Sequence, residues 1–143
     1  MELVVIPSKT MKDILILTEK PSVAKTFAEA LGAKKTGEAR YKNEKENITI
    51  THCIGHLVEA YTPEDYNPAY KKWTPETLPI IPEEQKYKII REKKKTFDTV
   101  KDNIKKAIAK NNEIMIATDA GQEGELIAQF VLEKSNAAEY PKI

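Results

Sequence analysis

The chain has 143 residues and a mass of 16.2 kDa, enough for one domain with a buried core. Its 23 basic and 22 acidic residues leave a net charge of +1, which excludes a bulk polyelectrolyte role. A composition of 41% hydrophobic and 31% charged residues points to a globular fold rather than a disordered tail, and the single Cys53 excludes an internal disulfide framework or a cysteine-based zinc cage.

Residues 1–11, opening MELVVIPSKT, lack a basic n-region and a long apolar core, so no signal peptide is expected. They read as a lead segment or an extra edge strand. No apolar run approaches the roughly 18 residues of a membrane helix, so no membrane role and a cytoplasmic location are expected. Asp13-Ile14-Leu15-Ile16-Leu17-Thr18 is apolar without alternation, the pattern of a parallel strand covered on both faces. Pro21 suits the first turn of a helix and cannot continue a central strand. Val23, Ala24, Phe27, Ala28 and Leu31 then recur at helical spacing, and Gly32 marks the stop. Glu19 and Lys20 therefore fall in a strand-to-helix turn, where open α/β sheets place their ligands.

Ala39 to Tyr41 and Ile48 to Ile54 read as two strands joined by the polar stretch Lys42 to Asn47. Thr62 to Pro82 contains five of the eight prolines, and reads as a long ordered loop without regular elements. Its Trp73, Tyr66 and Tyr70 suit a lid over the core, or alternatively a platform for stacking bases. Tyr87 to Ile90 suggests a short strand. Phe97, Val100, Ile104 and Ile108 mark one face of a helix of roughly 15 residues. Ile114 to Ala117 is a second buried strand, leading through Thr118-Asp119-Ala120-Gly121-Gln122-Glu123-Gly124-Glu125 into a helix bearing Leu126, Ile127, Phe130 and Val131. The fold class is therefore α/β, a mostly parallel four-stranded sheet flanked by helices, with a hairpin and proline-rich insertion.

Charge is unevenly placed. From Glu83 to Lys110 there are ten basic and five acidic residues; from Glu113 to Glu139 there are six acids and one lysine. Each run suits a solvated helix face, or else a polyanion contact and a metal site respectively. If the two turns share a sheet edge, Glu19, Asp119 and Glu123 converge there, and carboxylate oxygens suit Mg²⁺ with water and phosphate completing its shell. Lys20 offers a point charge to the same phosphate. A carboxylate crowded by other acids can carry a proton to a leaving oxygen, a role open to Glu19. Taken singly, Glu19 also suits a surface acid, Asp119 a helix cap, and His56 a structural histidine.

Thr18-Glu19-Lys20-Pro21-Ser22-Val23-Ala24-Lys25 resembles the opening motif of the Toprim domain in type IA DNA topoisomerases, particularly the topoisomerase III branch. Ala117 to Ile127 is similar to that family's second acidic motif, usually Asp-x-Asp-Arg-Glu-Gly-Glu. Ile54-Gly55-His56-Leu57-Val58-Glu59 resembles its Gly-His-Leu segment, and Pro63 to Pro82 its proline-rich stretch. The resemblance covers residues 12–143 and implies a Rossmann-like Toprim fold. It implies a magnesium-dependent enzyme that opens one DNA strand, passes another through and reseals it, acting on single-stranded or underwound duplex DNA. In that family a tyrosine becomes joined to the 5′-phosphate. No tyrosine of this chain lies in a segment matching the nucleophile's motif, so a fragment of a larger topoisomerase is expected, with the rest of that chain as its partner. By the same resemblance Glu19 is the acid/base residue, Lys20 the transition-state lysine, and His56 a histidine near the active site. Glu19, Asp119 and Glu123 would be the metal carboxylates. Gly121 and Gln122 depart from the motif, standing where an aspartate and an arginine are expected. Another Toprim enzyme (a primase or an OLD-type nuclease) and a non-catalytic binding module with a decayed metal motif are the alternatives.

Overall fold

The computed structural model describes residues 12–143, so the reading of residues 1–11 lies outside the described residues. The apolar run after Asp13 forms β1 (Ile14–Thr18), with all but its first residue buried. Pro21 occupies the first position of α1 (Pro21–Ala30), and Gly32, at φ +63°, ends it in the left-handed region that a glycine enters without cost. There follow β2 (Lys34–Gly37), β3 (Arg40–Asn43), β4 (Ile48–His52), β5 (Val58–Ala60) and a single helical turn, α2 (Pro63–Tyr66). Then come β6 (Tyr87–Ile89), α3 (Lys94–Ala109), β7 (Glu113–Ala117) and α4 (Gln122–Lys134).

The main sheet has the order β2-β3-β4-β1-β7, with β1 central and parallel to both β4 and β7. The class is α/β as expected and the expected hairpin is there, but among the described residues the sheet has five strands rather than four, with the hairpin inside it, so that the β2–β3 and β3–β4 pairings are antiparallel. The cause is the connection. Residues 44–47 alone join β3 to β4, far short of the dozen or so residues a parallel crossover requires. Asn43 shapes this turn by accepting from the backbone N–H groups of Lys45 and Glu46. β5 and β6 form a separate antiparallel pair from which the proline-rich segment emerges.

Helices cover both faces. Leu15 and Leu17 pack with Phe97, Val100 and Ile104 of α3 and with Ile127, Val131 and Leu132 of α4. Ile16 and Ile50, on the opposite face, meet Ala24 and Ala28 of α1. The alternation of β1 between these two layers is why its sequence shows no polar face. β7 lies at the sheet margin, so only Ile114 of its residues is fully buried, where a wholly buried strand was expected. Asn103 is buried on the α3 face and donates to Thr51 Oγ1 at 3.1 Å, which in turn donates to Ala39 O at 2.8 Å. No helix among the described residues is long and apolar enough to cross a membrane.

The proline-rich segment is not wholly irregular: α2 and a 3₁₀ turn at Pro68–Lys71 interrupt it. Nor is Trp73 a lid, since it is 71% exposed, with Leu78 and Ile81 also outside. Polar contacts hold the segment instead. Asp65 Oδ2 accepts from Thr62 N at 2.7 Å, Thr62 Oγ1 at 2.9 Å and Lys88 Nζ of β6 at 2.6 Å. The Lys88 hydrogen bond, followed by those from Thr62, draws the Asp65 carboxyl from its ordinary 3.8 down to about 2. A depressed folded value means that this tether is complete above the ordinary pKa and is lost as pH falls through about 2. In amide NMR the Thr62 resonance should therefore hold its native position down to about pH 3 and move only below it; a midpoint at the ordinary carboxylate value would refute the tether.

Candidate active site

The register of the parallel strands brings the two acidic turns to one edge. Thr18 at the end of β1 pairs with His52 of β4 on one side and Ala117 of β7 on the other. The residues that follow, Glu19, Cys53 and Thr118-Asp119, thus leave the sheet at its carboxyl margin. Glu19 is 8% exposed, which overturns its reading as a surface acid. Its Oε1 lies 3.4 Å from the Nζ of Lys20, whose own side chain is about half exposed. A buried carboxylate with one partly solvated partner is costly to hold in place, and such groups concentrate at functional sites.

The Gly-His-Leu segment closes over this turn. Cys53 N donates to Thr18 O at 2.9 Å, and Gly55 N donates to Glu19 O at 3.1 Å. Gly55 has φ +68°, a conformation in which a side chain would be strained. His56 Nε2 stands 3.3 Å from Glu123 Oε1 on the first turn of α4. Lys93 clamps the same loop from the other side of the chain, its ammonium donating to Ile54 O at 3.0 Å and His56 O at 2.8 Å. Sequence reasoning passed over Lys93, which is one lysine in the run Lys93-Lys94-Lys95 with nothing local to set it apart. Behind the loop Cys53 is buried, and burial, with the nearby Glu19 charge adding and Lys93 opposing, pushes its thiol up to about 12. A thiol so placed is chemically inert at neutral pH.

Asp119 is exposed and does not cap α4: the cap position is Gly121, without a side-chain hydrogen bond. The two glycines of the motif have different duties. A Cβ on Gly124 would lie 2.2 Å from Asp119 O and 2.9 Å from Asp119 N, so Gly124 lets α4 press against the Asp119 backbone. Gly121 has extended backbone at φ −153° and no atom within 4 Å of where a Cβ would sit. It is therefore open space, and any residue fits it. Glu125 is exposed, as its helical spacing suggested.

The structure thus joins Glu19 to Lys20 and His56 to Glu123, and sets Asp119 on the same margin. Among the described residues no three His, Cys, Asp or Glu side chains are grouped closely enough to hold a metal ion. The oxygen donors are of the type Mg²⁺ prefers. That ion is commonly held by one or two carboxylates plus water and substrate phosphate, so the donor chemistry fits a partial magnesium site and not an all-protein cage.

Residues 14–142 match the Toprim domain model. The chain is 47% identical over 120 residues to DNA topoisomerase 3 of Staphylococcus haemolyticus and 40% identical over 124 residues to DNA topoisomerase 3 of Bacillus cereus. These alignments take in 84% and 87% of this chain but only 16% of either relative. With its parallel core, its two acidic turns on one margin and a family match across nearly every described residue, the chain belongs to the Toprim domain family.

Proposed function

We propose that the chain is the Toprim module of a type IA DNA topoisomerase, residues 12–143 forming that domain and the nucleophilic tyrosine lying elsewhere in the enzyme. The observation that carries this reading is the buried Glu19 beside Lys20, in register with the turn bearing Asp119. On this reading Glu19 gives a proton to the 3′-oxygen as the DNA strand is cut and takes it back on resealing. Lys20, flexible and half exposed, faces the non-bridging phosphate oxygens as charge builds on them. His56 orients Glu123 through their contact, while Lys93 fixes the loop that carries His56. Glu19, Asp119 and Glu123 are the residues that would hold Mg²⁺, which when bound neutralises phosphate charge. The substrate is single-stranded or underwound duplex DNA, the partner is the remainder of the topoisomerase, and the location is the cytoplasm.

A second reading, a binding module without metal chemistry, is favoured by Gly121 and Gln122 and by the absence of a three-carboxylate group among the described residues. Magnesium titration of the isotope-labelled chain separates the two. The catalytic reading expects saturable shifts at Glu19, Asp119 and Glu123 in the millimolar range; none there would favour the module. Gly121→Asp places a hard oxygen donor into open space without backbone strain, and should tighten Mg²⁺ by about tenfold, or 1.4 kcal/mol. Equal calorimetric affinities of the two proteins would count against the assigned ligands.

A further inference from the structure

On the α3 face of the sheet, near the amino ends of the parallel strands, lies a cleft of about 80 Å³. Its floor is Leu15 and Thr49, its walls are Arg40 and Lys42 of β3 and Asn103, Lys106 and Lys110 of α3, and Asp13 is the one acid lining it. The arrangement follows from register. Arg40 pairs with Thr51 and Lys42 with Thr49, so both cations stand on the same side of the hairpin as the Asn103–Thr51 hydrogen bond. α3 covers β1 and β4 there but leaves the β3 side open, and the Lys95–Glu38 contact at 2.8 Å ties the hairpin turn to the start of the helix. Leu15 on its floor stands four residues before Glu19 along β1, roughly 13 Å at the usual rise per strand residue.

Four cations against one acid form an unusual lining for so small a space. Arg40 uses its Nε on Thr36 Oγ1 at 3.1 Å and makes no ion pair among the described residues, which leaves its terminal N–H groups available. Lys110 likewise has no acid within ion-pair distance among the described residues. Lys42 reaches Glu44 and Lys106 reaches Asp102, both exposed acids at the rim, and such pairs are weak and readily exchanged. Glu44 senses the whole group: its carboxyl is held below the ordinary range by the Lys42 hydrogen bond first, and further by the charges of Lys42, Lys110 and Arg40.

We propose that this cleft is a phosphate-binding site separate from the catalytic margin. Arg40 grips two oxygens through its planar fork, and Lys42, Lys106 and Lys110 supply point charges around them. At about 80 Å³ the cleft has room for a tetrahedral anion, and its open mouth lets that anion be part of a larger molecule. The phosphate is carried either by a nucleic acid backbone or by a free small molecule, and the site does not depend on the topoisomerase reading.

The test is an amide NMR titration of the 143-residue chain with inorganic phosphate, and separately with a short oligothymidylate, each against chloride at matched ionic strength. Saturable shifts centred on Arg40, Lys42, Asn103, Lys106 and Lys110 are expected with at least one probe. If both probes act, the site recognises phosphate itself; if only the oligothymidylate acts, it is a backbone contact. In Arg40→Gln and Lys110→Gln together, affinity should fall about tenfold or more while the core resonances stay in place, because both side chains lie outside the core clusters. Shifts no larger than those from chloride with both probes, or undiminished affinity in the double variant, would overturn the proposal.

Discussion

In the topoisomerase proposed above, replacing Glu19 by Gln should slow DNA strand cleavage by about 10²- to 10⁴-fold while leaving DNA binding nearly intact. The side chain is buried at the carboxyl end of β1, so the amide keeps the shape that the pocket demands. On the proposed mechanism, what it loses is the ability to exchange a proton with the leaving 3′-oxygen. It also loses the negative partner of Lys20 at 3.4 Å, so that the lysine is freed rather than removed. A purely structural Glu19 would give a different result: stability would drop and the residual rate would track the folded fraction. Cleavage measured on a single-stranded oligonucleotide, alongside thermal unfolding of the same variant, separates the two. Near-normal cleavage by a folded Glu19→Gln enzyme would remove the acid/base role.

The second large effect belongs to Gly124. Adding one methyl there sets a carbon 2.2 Å from Asp119 O and 3.0 Å from Asp119 C, contacts with backbone that has no free rotor to swing aside. Either α4 retreats or the Asp119 turn is pushed outward, and such overpacking costs about 1–3 kcal/mol. Gly124→Ala should therefore lower the urea midpoint and disturb Asp119 and Glu123 together, since both flank the contact. Gly121→Ala is the matched control. Its backbone is extended and its surroundings are open, so its stability should stay within about 0.5 kcal/mol of the parent. Equal midpoints for the two variants would show that the close approach of α4 is not a constraint.

The long, strongly periodic elements were readable from the chain alone. β1, α1 and α3 announce themselves by an unbroken apolar run or a helical stripe, with Pro21 and Gly32 as start and stop. β2 was not readable because Lys-Lys-Thr-Gly is exposed at every position and shows no apolar signal; it exists through pairing with β3. β5, with only Val58 buried, is too short to show alternation and is defined by its partner β6. The β3–β4 hairpin was legible in the short polar link between its strands, but it was read as an insertion, and its place inside the main sheet beside β1 was not legible. At the site, residue types and their order were legible, whereas the burial of Glu19 and the clamp of Lys93 on residues 54 and 56 were not. Both depend on partners more than thirty residues distant, and no local spacing encodes them.

Among the described residues β2 ends the main sheet on one side and pairs with β3 alone, the kind of margin on which a second polypeptide can add itself. Here Lys34 and Lys35 stand along it, and the irregular pairing between Lys35 and Gly37 twists it out of line. Two like charges would meet two more in any copy approaching side by side, and the kink denies that copy a straight template. The hairpin that breaks the parallel pattern is therefore also what keeps one molecule's sheet from growing into the next.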